Sequence, residues 1–123
     1  MIYFVGMHNK PGMLPLGSRS PSGKQIDLII KELNCKCVKT NLYDIDYFPN
    51  EEDKLELAGK WIFRIQPKRH DIIVLLGAEV HKNYIHTVGK VIKLPHPSPL
   101  YMNKEKKANY VKNAVWLIKT ENK

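Results

Sequence analysis

The chain has 123 residues, 43% of them hydrophobic and 26% charged, which is the composition of an ordinary globular protein and argues against disorder. This length predicts a single domain that spans residues 1–123. Twenty Lys and Arg against twelve Asp and Glu leave a net charge of +8, which favours a polyanionic partner, nucleic acid before an anionic membrane.

The sequence predicts a cytoplasmic protein, and a nucleoid-associated protein or a viral protein in the host cytoplasm fits the same pattern. No apolar run approaches the ~20 residues of a membrane span, and the apolar start, Met1 to Gly6, is too short for a signal peptide. In that compartment Cys35 and Cys37 are expected to be reduced, half-buried thiols. They lie one residue apart on a predicted strand, so their side chains are expected to point the same way.

Strands and helices are predicted to alternate along the chain. Short β-branched runs that stop at glycine indicate buried strands, and apolar residues at helical spacing indicate the helices between them. In chain order the predicted elements are a strand over Ile2–Val5 that stops at Gly6, a helix capped by Ser22, a strand over Val38–Tyr43, a helix from Asn50 to Pro67, a strand over Ile72–Leu76, a helix through Val80 and Tyr84, a strand over Val88–Leu94 and a helix from Asn103. This alternation predicts an α/β fold of three layers, α/β/α, with a four-stranded parallel sheet, and the polar loops, which need to meet at the strand ends, add the order 2-1-3-4.

In a parallel sheet of this kind, ligands bind at the carboxyl ends of the strands. Two segments at those ends carry notable polar residues. Gly6-Met7-His8-Asn9-Lys10-Pro11-Gly12 follows the first strand, but it lacks the spacing of a phosphate-binding Walker loop. His96-Pro97-Ser98-Pro99 follows the last strand, and its two prolines restrict the backbone around His96. Both segments are therefore candidate parts of a site.

These two segments, together with Thr40-Asn41 and Leu75-Leu76-Gly77-Ala78, occur in the order and context of the uracil-DNA glycosylase superfamily. The chain resembles this superfamily over nearly its whole length, and most closely the family 4 enzymes and the single-strand-selective branch. The most specific part of the resemblance is the His-Pro-Ser-Pro motif preceded by Leu-Leu-Gly-Ala. The resemblance implies a monomeric enzyme without a cofactor that acts on single- or double-stranded DNA.

The reaction that the resemblance implies is base flipping and hydrolysis of the N-glycosidic bond of uracil or a related modified pyrimidine. His96 occupies the position that stabilises the departing base, and Asn41 the position that reads it. Either His8 or Asn9 would position the attacking water. The other implied base contacts are Gly6, Met7 and Leu16, and the implied DNA contacts are Ser22, Lys24, Ser98, Leu100 and Tyr101.

Three departures from the family pattern keep alternatives open. The first motif has two extra residues, so counting from Gly6 favours His8 as the water-positioning residue whereas chemistry favours Asn9. Leu16 stands where the family has a stacking phenylalanine, which would weaken stacking and could admit a modified base. Family 4 also binds an iron–sulfur cluster through four cysteines, whereas Cys35 and Cys37 lie elsewhere, so no cluster or other metal is expected. A catalytically inactive module that binds DNA or protein is the alternative reading.

The remaining residues of functional type are expected to be structural or solvated. His81 and His86 are five residues apart, a spacing that suits a helical metal site poorly, and they are predicted to be solvated. The Lys104-Glu105-Lys106-Lys107 run is predicted to be a solvated helix face, with contact to DNA phosphates as the alternative.

Overall fold

A computed structural model describes residues 1–7, 17, 20–45, 47–97 and 103–121. Its elements in chain order are β1 (Ile2–Gly6), α1 (Pro21–Leu33), β2 (Cys37–Asn41), α2 (Glu51–Ile65), β3 (Ile72–Leu76), α3 (Ala78–Asn83), β4 (Lys90–Leu94) and α4 (Lys104–Glu121).

The four strands form a parallel sheet in the order β2-β1-β3-β4, as the sequence predicts. The four strands start at nearly the same level. Ile2 lies beside both Cys37 and Ile72, and Ile72 lies beside Lys90. Their carboxyl ends therefore lie along one edge of the sheet. The segments that follow the strands start at that edge, which is where α/β proteins bind ligands.

The sheet has an apolar core on each face. Alternate strand residues point to opposite faces, so Phe4 and Val74 contact α1 and α4, whereas Val5 and Leu75 contact α2 and α3. Trp61 is the largest side chain of the second core and is fully buried. These two helical layers and the sheet between them are the predicted three-layer fold.

The start of α1 differs from the prediction that Ser22 is its N-cap. Ser20 is the cap, and its Oγ accepts a hydrogen bond from the Gly23 amide at 2.9 Å. Pro21 occupies the first helical position, where its fixed φ suits the helix and its missing N–H costs nothing. Ser22 is therefore inside the first turn and half-buried.

Two strand boundaries also differ. The fourth strand begins at Lys90 and not at Val88, because Gly89 turns the chain with a φ of +83°. The second strand ends at Asn41 and not at Tyr43, although the amide of Tyr43 still donates to Met7 of the loop after β1. The irregular pairing beyond Asn41 aligns this loop with the end of β1.

The prediction that both cysteines lie on a strand is wrong for one of them. Cys37 begins β2 and is half-buried, whereas Cys35 lies before the strand and is exposed. Both are at the amino edge of the sheet, opposite the polar loops.

Burial, together with the neighbouring Cys35, raises the pKa of the Cys37 thiol to about 12. Because the thiolate is the reactive form, we expect iodoacetamide at pH 8 to label native Cys37 about 10³-fold more slowly than the unfolded chain. Mass spectrometry of the Cys37 peptide, with and without guanidinium, measures the ratio. Equal rates in the two states would contradict the burial of this thiol.

Candidate functional site

The ends of the four strands place the candidate residues along one edge of the sheet. Asn41 ends β2 at one side of the sheet, and His96 follows β4 at the other side. Of the two strands between them, β1 ends at Gly6 and β3 is followed by Gly77. Three strand spacings of about 4.8 Å separate β2 from β4, or roughly 14 Å.

His96 is exposed, and it lies directly against Gly77. A Cβ atom on Gly77 would be 3.2 Å from the His96 Cβ and 3.5 Å from its Cδ2. Gly77 also has a φ of +93°, which L side chains rarely adopt. Glycine is therefore required at this position of the Leu-Leu-Gly-Ala motif for two reasons. The backbone has a positive φ, and the His96 side chain occupies the space that a Cβ atom would need.

The segment that carries His96 is held from both faces of the sheet. On one face, the Tyr110 hydroxyl of α4 donates to the Pro95 carbonyl at 2.6 Å. Burial raises the pKa of the Tyr110 phenol above its ordinary value, at which this donor is already protonated at neutral pH. On the other face, the His81 Nε2 atom lies 2.8 Å from the Leu94 carbonyl. These contacts restrain the backbone immediately before the imidazole.

Asn41 is at the opposite side of the site and is 3% exposed. It lies beside Gly6 in the β1–β2 register, and its backbone carbonyl accepts a hydrogen bond from the Arg64 guanidinium. The half-buried Met7 follows Gly6 and accepts from the amide of Tyr43 at 2.9 Å. The structure thus brings together three of the predicted base contacts, Gly6, Met7 and Asn41.

A polar cluster joins the loop after β2 to the start of α3. The Tyr43 hydroxyl donates to the Glu79 carboxylate at 3.1 Å, and the Lys54 ammonium is 2.7 Å from the same carboxylate. Burial, followed by the Glu79 charge, raises the pKa of Tyr43 to about 12. Lys54 also lies 2.5 Å from Glu51, and hydrogen bonds to the two carboxylates raise its pKa. This cluster fixes the loop that follows Asn41 relative to the turn at Gly77.

The first turns of α1 and α4 present cations and no cluster of acids near this edge. Lys24 is exposed in the first turn of α1, which contains no acidic residue. In α4, the Asn103 side chain accepts from the Lys106 amide at 2.9 Å, which confirms the predicted helix start at Asn103. Helix amino termini with adjacent lysines attract anions such as phosphate groups.

Several predicted site residues lie outside the residues that the structure describes. These are His8, Asn9, Leu16, Ser98, Leu100 and Tyr101. Their roles stay predictions.

The prediction that His81 and His86 are solvated is wrong. Both are half-buried, and each has its Nε2 atom within hydrogen-bond distance of backbone carbonyls. His86 lies 2.9 Å from the Ala58 carbonyl and stacks on Trp61 with 6.0 Å between ring centroids. Sequence spacing could not find these partners, because the carbonyls belong to other elements.

Within the described ranges, no three His, Cys, Asp or Glu residues are placed to hold a metal ion. None of the helices described combines the length and hydropathy that a bilayer crossing requires.

The model of the Uracil DNA glycosylase superfamily matches residues 2–118. The chain therefore belongs to this superfamily, whose members are DNA glycosylases, hydrolases that act on DNA in its repair. No curated protein matches the sequence. The closer likeness to family 4 and to the single-strand-selective branch stays a prediction.

Proposed function

We propose that the chain is a single-domain, monomeric glycosylase that flips uracil or a related pyrimidine out of DNA and hydrolyses its N-glycosidic bond. The observation that carries the proposal is the placement of His96 against Gly77, across the sheet edge from Asn41. The site opens at the carboxyl ends of the strands, where α/β proteins bind ligands. The net charge of +8 favours a polyanionic substrate.

His96 would act on the departing base. When the bond between the sugar C1′ and the base N1 breaks, its electron pair leaves with the base and negative charge develops on the uracil O2. A preorganised donor at this oxygen stabilises the transition state more than the ground state. Water then adds to C1′ and loses a proton, and the uracil anion takes up a proton, which leaves an abasic site and free neutral uracil. The contacts of Pro95 and Leu94 restrain the donor before the reaction begins.

Asn41 would select the base. Its amide can accept from uracil N3–H and donate to uracil O4, whereas cytosine presents the reverse pattern at these two positions. Because Asn41 is almost fully buried at the end of β2, the amide has little freedom to rotate. Gly6, which ends the neighbouring strand, and Met7, which follows it, would form the floor beneath the ring.

The roles of the other predicted residues complete the proposal. Asn9 or His8 would position the attacking water, and Leu16 would contact the face of the base. Leu100 and Tyr101 would wedge into the vacated stack. Ser22, Lys24 and Ser98 would contact phosphates, which is consistent with the exposed Lys24 in the acid-free first turn of α1.

DNA binding is expected to weaken steeply with salt. Each neutralised phosphate contributes a slope of about −0.9 in the plot of log K against log salt. Replacement of Lys24 by alanine is expected to reduce the slope by about 1. Lys60→Ala is the matched control, because Lys60 is exposed and pairs with Glu56 on α2. Fluorescence anisotropy with a labelled oligonucleotide measures both slopes, and a salt-independent affinity would contradict phosphate contact.

Asn41→Ala is expected to lower the cleavage rate for uracil and to reduce the preference for uracil over cytosine by about 10- to 100-fold, the worth of one bidentate base contact. Thr40→Ala is the control. This substitution removes the hydrogen bond that Trp61 donates to the buried Thr40 hydroxyl, but Thr40 has no proposed role in reading the base. Single-turnover rates on matched uracil and cytosine oligonucleotides give the ratio. An unchanged ratio in Asn41→Ala would remove Asn41 from base reading.

Two alternatives follow from the first loop. Its two extra residues relative to the family favour a catalytically inactive module that binds DNA or protein. Leu16, in place of a stacking phenylalanine, favours a modified base as substrate. The test is incubation with oligonucleotides that bear uracil or modified pyrimidines, followed by alkaline cleavage at abasic sites. Cleavage supports the enzyme, whereas DNA binding without cleavage of any substrate supports the inactive module.

A further inference from the structure

His81 connects the ends of β3 and β4 through its side chain. Its Nε2 atom lies 3.0 Å from the Leu75 carbonyl and 2.8 Å from the Leu94 carbonyl. Because carbonyl oxygens only accept, Nε2 must carry the hydrogen and share it between them. The His81 amide also donates to the Gly77 carbonyl at 3.0 Å. One residue of α3 therefore contacts both strands at the edge where the site lies.

These contacts form a closed arrangement with the turn after β3. The Gly77 amide donates to the Leu94 carbonyl at 2.9 Å, so this one oxygen receives both the Gly77 amide and the His81 imidazole. Leu94 ends β4, and His96 follows two residues later between Pro95 and Pro97. The prolines limit the backbone freedom between the fixed carbonyl and the imidazole.

The same arrangement sets the distance between His96 and the turn. Gly77 is the residue against which the His96 side chain lies, with 3.2 Å between the His96 Cβ and the place of a Gly77 Cβ. Loss of the His81 side chain would leave the Gly77 amide as the remaining donor to the Leu94 carbonyl among these contacts, and the weaker attachment would allow a small shift of the end of β4 relative to this turn. A displacement of about 1 Å at a reacting group is enough to lower a rate about 10²-fold.

We propose that His81 is a positioning residue, which holds the end of β4 against the Gly77 turn and thereby sets the place of the His96 imidazole. It acts through the backbone and not on the base. The proposal rests on the proposed function for its effect on rate, whereas its effect on the environment of His96 is independent of any activity.

The experiment compares His81→Leu with His81→Gln, because a glutamine amide nitrogen reaches about as far as histidine Nε2 and restores the donor. His86→Leu is the matched control, since His86 is also half-buried with its Nε2 on a backbone carbonyl, that of Ala58. The readouts are the single-turnover rate on a uracil oligonucleotide, the DNA dissociation constant and the imidazole NMR signal of His96. That signal is assigned by its loss in His96→Ala.

We expect His81→Leu to lower the rate about 10- to 100-fold, to leave the dissociation constant within about twofold and to move the His96 signal. His81→Gln is expected to recover the rate to within a few-fold and to restore the signal. His86→Leu is expected to lower the thermal stability without either change. If His81→Leu does not fold, His81→Asn, whose amide is too short to reach both carbonyls, is expected to show the same losses.

An unmoved His96 signal in the folded His81 variants would overturn the proposal. So would equal rate losses in the His81 and His86 variants, or a His81→Gln variant as impaired as His81→Leu. If the wild-type protein cleaves no substrate, the proposed function fails, but the NMR signal still decides whether His81 positions His96.

Discussion

His96→Ala is expected to lower the single-turnover rate on a uracil oligonucleotide by about 10²- to 10³-fold, the usual cost of losing one preorganised donor to a developing oxyanion. The loss arises in the chemical step because the charge on the base oxygen develops only as the glycosidic bond breaks. DNA affinity is expected to change little, since phosphate contacts dominate it. Rapid-quench cleavage and anisotropy binding on the same oligonucleotide separate the two effects.

His70→Ala provides the control for this variant, because His70 is an exposed histidine in the turn between α2 and β3, away from the carboxyl edge. It is expected to cleave at the wild-type rate. If His96→Ala retains the full rate while the wild type is active, His96 is not the donor. An equal fall in DNA affinity and rate would instead place His96 in substrate binding.

Gly77→Ala is expected to lower the rate by about 10²-fold through displacement of His96. The new methyl group would lie 3.2 Å from the His96 Cβ, closer than ordinary contact, so the imidazole or the turn must move. The backbone adds strain, because a φ of +93° with an extended ψ is nearly restricted to glycine and costs about 1–3 kcal/mol for other residues. Thermal unfolding measures the second effect and single-turnover kinetics the first.

Alanine variants of two other glycines separate the effect of backbone strain from the effect of displacing His96. Gly89 has a φ of +83° and its added Cβ would meet the Asp71 carbonyl at 2.8 Å, at the opposite end of β4 from His96. Gly89→Ala is therefore expected to lower stability while the folded fraction cleaves normally. Gly59, within α2, has no described neighbour beyond the backbone of its own helix within 4 Å of an added Cβ, so Gly59→Ala is expected to preserve the rate and to raise stability by about 0.5–1 kcal/mol, as alanine does in a helix interior. A normal rate in folded Gly77→Ala would contradict the packing argument.

The alternation of strands and helices was predictable, because buried β-branched strands and amphipathic helices leave strong periodic patterns. The order of the strands followed from that alternation together with the expectation that the polar loops meet at the strand ends. The exact ends of helices and strands were not predictable where two neighbouring residues could each serve as the boundary. Ser20 and Ser22 both precede apolar residues at helical spacing, and the preference of Pro21 for the first helical position decides between them. Likewise, the left-handed turn at Gly89 moves the start of β4 beyond Val88.

The polar ends of the strands were also predictable, whereas the contacts that support them were not. Asn41 and His96 stand out because polar residues follow buried strands there, and the structure places them at one edge of the sheet. The partners of His81 are carbonyls of Leu75 and Leu94, and such backbone groups exist in every sequence. Only the packing of α3 against the ends of β3 and β4 brings the His81 imidazole within hydrogen-bond distance of both carbonyls.

Incubation of the wild-type protein with uracil oligonucleotides tests the central claim most directly. Single- and double-stranded oligonucleotides with one uracil are incubated with the protein and then treated with alkali. Control oligonucleotides have the same sequence with cytosine or thymine in place of the uracil. We predict a strand break at the uracil and release of free uracil, with neither product from the control oligonucleotides. Intact uracil strands in both forms, from a protein that binds them, would contradict the account.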